Sequence, residues 1–98
     1  MKLLELFKEV KDENLTKTQV EDYYSRLCEL RADIKLELAG LQKEKAMFML
    51  KNPEQSVAQR KIDFAGSEKG QREIELKAYV SATTDHINSL KNRIYALL

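Results

Sequence analysis

Ninety-eight residues, 43% hydrophobic and 34% charged, fit one soluble domain, because a chain of this length can bury a core and is rarely split further. Seventeen Lys and Arg stand against sixteen Asp and Glu, so no strong overall field favours nucleic acid or membrane. A single cysteine, Cys28, excludes an intrachain disulfide and a cysteine-rich metal site, and fits a reduced, cytoplasmic setting. The charge is unevenly spread: residues 1–38 carry seven basic and nine acidic side chains, whereas residues 39–98 carry ten and seven, which makes the second half the anion-facing side. MKLLELFKEV is like a signal sequence for four residues before Glu5, Lys8 and Glu9 interrupt it. No stretch approaches the roughly 18 apolar residues of a membrane span.

Few Gly and Pro, with abundant Leu, Lys, Glu, Gln and Ala, predict a mainly α protein. Leu3, Leu4, Phe7 and Val10 give a short amphipathic N-terminal helix that the polar KDEN ends. The next helix is expected to start near Lys17, with Thr16 as N-cap, Gln19 completing a capping box, and Leu15 and Val20 as a hydrophobic staple. Along it Val20, Tyr23, Tyr24, Leu27, Leu30, Ile34, Leu38, Leu41, Phe48 and Met49 fall in one stripe roughly 120° wide. A helix of that extent is about 50 Å long, so the expected architecture is an elongated helical hairpin of two long helices, forming a single domain over 1–98.

In KAMFMLKNPEQS, four bulky apolar residues meet a turn signal, with Asn52 as N-cap, Pro53 at the first helical position and Gln55 at the third. The apolar knot then lies at the hairpin tip. Phe48 and Met49 stay on the core stripe, while Met47 and Leu50 point off it and call for cover from a partner. Residues 56–66 read as a non-helical or partly extended connection, because Ile62 and Phe64 alternate with Lys61 and Asp63, although a helix is also allowed. Ser67 can cap the last helix, whose face is Leu76, Tyr79, Val80, Thr83, Ile87, Leu90, Ile94, Leu97 and Leu98. This helix pairs with the first long one.

Little in the chain carries catalytic chemistry. His86 sits at the edge of an apolar stripe beside Asp85 with no positioned nucleophile, and Cys28 lies beside Leu27 with no obvious base; both read as packing residues. Carboxylates such as Glu73, four residues before Lys77, follow the pattern of solvated helix faces, and no metal-ligand or cofactor spacing emerges. GSEKGQR could hold an anion at a helix N-terminus, but it lacks a Walker-type GK[ST], and a helix cap is the plainer reading. Lys45, Lys51, Arg60, Lys61, Lys69 and Arg72, with Phe48 and Phe64 interspersed, combine cations and rings as single-stranded nucleic acid requires; a solvated face, with Lys45 snorkelling from the stripe, is the plainer alternative.

YSRLCELRADIKLELAGLQKEK, residues 24–45, has a Tyr-Ser-basic start, Ile34, Lys35 and Glu37 in an Ile-Lys-x-Glu core, and Lys45 beyond. It resembles the first long helix of the UvsY-type recombination mediators of T4-like phages. The MKLLEL start and the order of loop, RKIDFAGSEKG and closing helix are similar too. Leu50 and Asn52 stand where that family's basic run would fall, with Lys51 one position off. The resemblance implies a small, mostly helical, non-enzymatic protein that assembles into a ring, binds single-stranded DNA and helps load a recombinase onto strands coated by a single-strand-binding protein; if phage-encoded, it acts in the host cytoplasm. The other expectation, from the residues themselves, is a protein-interaction module that uses Met47, Phe48 and Leu50 as its contact.

Overall fold

The computed structural model describes residues 2–51 and 53–97. Four helices follow one another, α1 (Lys2–Val10), α2 (Lys17–Lys51), α3 (Val57–Gly66) and α4 (Glu68–Ala96), and no strand occurs among the described residues. The mainly α expectation therefore holds, with two long helices after a short N-terminal one. The residues gather into two compact units, Met1–Ala32 with Val80–Leu98, and Asp33–Tyr79.

In the first unit α1 buries Leu3, Leu6, Phe7 and Val10, the start of α2 buries Val20 and Leu27, and α4 buries Thr83, Ile87 and Leu90. Each large aliphatic side chain taken from water contributes roughly 1.5–3 kcal/mol. Leu4 is a correction: it is 49% exposed, and Leu6 takes its expected place. The i, i+3, i+4, i+7 spacing of Leu3, Leu6, Phe7 and Val10 makes a tighter face, which leaves Leu4 a quarter-turn away. The start of α2 is as expected. Thr16 Oγ1 accepts from the Gln19 amide at 3.2 Å and Gln19 Oε1 accepts from the Thr16 amide at 2.9 Å, a reciprocal capping box. Buried Val20 and half-buried Leu15 line one crevice beside it. The loop after α1 is held by Arg93, which donates to the carbonyls of Val10 at 3.0 Å and Asp12 at 2.8 Å.

In the second unit the end of α2, all of α3 and the start of α4 surround Phe64 and Leu76. Here α2 and α4 run antiparallel, since Glu37 pairs with Arg72 and Glu44 with Lys69. Residues 57–66 are helical, which corrects the expected extended connection. Ser56 is the reason: in extended backbone (φ −62°, ψ 155°) its Oγ accepts from the Gln59 amide and starts the helix. On a helix Ile62 and Phe64 then part company, Ile62 outward at 64% exposed and Phe64 inward at 4%. The expected start at Pro53 is corrected likewise, while the N-cap assigned to Asn52 lies outside the described residues. Ser67 caps α4 as expected, its Oγ accepting from the Gly70 amide at 3.1 Å. Leu97, placed on the core face, is 51% exposed one residue past the end of α4, and Leu98 lies outside the described residues.

Candidate functional site

The last turns of α2 bring an aromatic pair together. Phe48 and Phe64 lie 5.8 Å apart between ring centres and are inclined at 53°, a favourable tilted geometry. Met47 and Leu50 on the same turns remain in solvent, at 49% and 78% exposed, because the helix rotates them away from the seam. Between Met47, Phe48 and Phe64 opens a groove of about 390 Å³, with Glu44, Lys51 and Lys69 at its rim. The groove is apolar inside and charged at the edge, the composition of a site that accepts an apolar side chain.

The six basic residues expected to meet nucleic acid have different roles in this unit. Lys45 reaches Glu73 at 3.3 Å and lies 5.8 Å from the centre of the Phe64 ring. Lys69 pairs with Glu44 at 3.2 Å. Arg72 holds both oxygens of Glu37, at 3.0 and 3.2 Å, and Glu75 at 2.7 Å. The hydrogen bond to Glu37, ahead of any other influence, pushes the Arg72 pKa up. Arg60 donates to the carbonyl of Met49, capping the C-terminal end of α2, where a cation complements the helix dipole. Lys51 and Lys61 are exposed, and neither has an ion-pair partner among the described residues.

Glu73 was missed by pattern. Its spacing predicts a solvated face, yet it is 6% exposed, accepts a hydrogen bond from Lys45 across the helix pair and has the Lys77 ammonium of its own helix 3.8 Å away as a second ion-pair partner. Its partner lies 28 positions away, and no local periodicity signals such a pair. Leu36, 74% exposed, falls outside the core stripe, so no periodicity signals it.

In the first unit His86 stacks on Phe7 at 4.5 Å between ring centres, and borders a crevice of about 360 Å³ with Lys11, Glu13 and Arg93. Burial, then the neighbouring Lys11 charge, lower its pKa, while Asp85 acts weakly the other way. Cys28 is a half-buried free thiol. Among the described residues no group of three or more His, Cys, Asp or Glu is placed to hold a metal ion, and no helix is long and apolar enough to cross a membrane.

Compared with known proteins, the chain matches no family model, no curated protein and no solved structure.

Proposed function

We propose that this chain is a non-enzymatic protein-interaction module whose contact is the C-terminal end of α2. The observation that supports this reading is the pairing of exposed Met47 and Leu50 with an apolar groove floored by Phe48 and Phe64. Large exposed apolar side chains contiguous with an apolar groove have the composition of a docking site. Basic residues that neutralise carboxylates of the same unit also favour a protein partner over a polyanion.

The test compares Met47→Asp and Leu50→Asp with the parent chain in capture of partners from the cells that make it. Helicity by circular dichroism should be unchanged, since both side chains point into solvent, and the captured partner should be lost. An unchanged partner set from folded variants would reject the reading.

A second reading, contact with single-stranded DNA as the UvsY-type resemblance implies, is favoured by the exposed Lys51 and Lys61, which have no ion-pair partner among the described residues. Self-association and a recombinase or single-strand-binding partner belong to the same reading. Light scattering with and without an oligonucleotide tests it. An assembly that takes up the strand supports it, and a particle indifferent to DNA rejects it.

A further inference from the structure

We propose that the outer face of α2 between Lys35 and Lys51 docks an acidic amphipathic helix of a partner protein. This rests on the reading of the chain as a protein-interaction module and specifies its partner's chemistry. The argument begins with where charge goes on this stretch, which carries Lys35, Glu37, Lys43, Glu44, Lys45 and Lys51. Three of these are satisfied within the unit: Glu37 by Arg72 at 3.0 Å, Glu44 by Lys69 at 3.2 Å and Lys45 by Glu73 at 3.3 Å. The other three are lysines. None has a carboxylate three or four positions away on α2, and none makes an ion pair among the described residues.

At about 100° per residue, Lys35, Lys43 and Lys51 share one arc with Leu36, Met47 and Leu50, roughly 160° wide and opposite the seam. Neither glutamate of the stretch enters it. The aliphatic members are exposed at 74%, 49% and 78%. Positions 36, 43, 47 and 50 follow the seven, four and three spacing by which one helix lies along another. Midway along, Gly40 is open, with nothing within 4 Å of where a Cβ would stand, so a facing side chain can settle against the backbone.

Charge complementarity names the occupant. A helix with apolar residues at i, i+3 or i+4, and i+7, flanked by Asp and Glu, would cover the aliphatic side chains and neutralise all three lysines. A second copy of this face would set lysines against lysines, which works against self-pairing here. Nucleic acid finds no ring on the arc to stack on, because Phe48, the only aromatic residue of the stretch, is half-buried against Phe64. A lipid surface would meet three aliphatic side chains and no aromatic anchor.

The test uses the full chain and two fluorescent helical peptides of about 18 residues, both with Leu at the docking spacing, one flanked by Glu and its twin by Lys. The acidic peptide should bind about tenfold tighter than the basic twin, and less tightly as salt rises. Lys35→Glu, Lys43→Glu and Lys51→Glu together should reverse the preference, and Leu36→Asp should weaken binding about tenfold without loss of helicity. Equal binding of the twins, no binding of the acidic one, or its displacement by an oligonucleotide or by phosphatidylserine vesicles would overturn the proposal. Partner capture separates the two claims. If Leu50→Asp abolishes capture while Leu36→Asp and the triple reversal do not, the acidic-helix inference fails and the interaction reading stands. If none of them alters capture, both fail.

Discussion

The Lys45 ammonium on α2 meets the buried Glu73 carboxylate on α4 at 3.3 Å, and the same carboxylate oxygen has Lys77 at 3.8 Å. A carboxylate removed from water costs stability unless a cation faces it. Lys45→Ala is therefore expected to destabilise the chain by about 2 kcal/mol in urea unfolding, because the weaker Lys77 contact alone remains. Replacing both partners by Leu should recover most of that loss, since no uncompensated charge is then left inside. Losses that simply add would show that the pair is not coupled.

At Gly70 the start of α4 lies tight against the backbone at the end of α3. A Cβ there would stand 1.9 Å from the Phe64 carbonyl oxygen and 2.7 Å from the Ala65 Cα, both backbone atoms that cannot rotate away. Gly70→Ala is expected to cost about 2 kcal/mol or more and to open the corner between the two helices. Gly40→Ala on the open side of α2 should instead stabilise by up to about 1 kcal/mol. Chemical denaturation of the two variants side by side checks both signs.

His86 gives the first unit a pH dependence. Its folded pKa lies below the ordinary 6.5, chiefly through burial against Phe7 and next through Lys11, so the unfolded chain takes up the proton more readily. The contribution of this site is present in full above about pH 6.5 and is lost as the pH falls toward the folded value. Thermal unfolding between pH 7 and 5 should show a steeper decline for the parent chain than for His86→Gln. Parallel declines would show that His86 is not the source of the acid sensitivity.

Thr83 is fully buried, and its hydroxyl has no hydrogen-bond partner among the described residues. Thr83→Val keeps the shape and removes the desolvated oxygen, so a gain of about 1 kcal/mol is expected in denaturant unfolding. A loss of similar size would mean that the hydroxyl has a partner in solution.

Periodicity made the two long helices legible, because both carry one apolar face for many turns, and the Thr16 and Gln19 capping box marked where α2 begins. It failed at residues 57–66, where ten residues are too few to separate alternation from helical spacing and the deciding signal was the Ser56 cap. Leu4 and Leu6 were exchanged for a similar reason, since a helix of nine residues admits two neighbouring faces. The basic residues were legible as a set and not as pairs: Glu37 with Arg72 and Glu73 with Lys45 join positions far apart in the chain. Lys35, Lys43 and Lys51 share an arc by helical spacing alone, but that they lack carboxylate partners follows from the fold, in which Glu37 turns to Arg72 and Glu44 to Lys69.

The most direct test is photo-cross-linking in the cells that make the protein, with a light-activated residue at position 50 and, in a separate chain, at position 4. Leu4 is a fair control, being apolar and 49% exposed on α1. A discrete protein adduct from position 50 and none from position 4 is the predicted result. Adducts from both positions alike, or from neither, would contradict a docking surface at the end of α2.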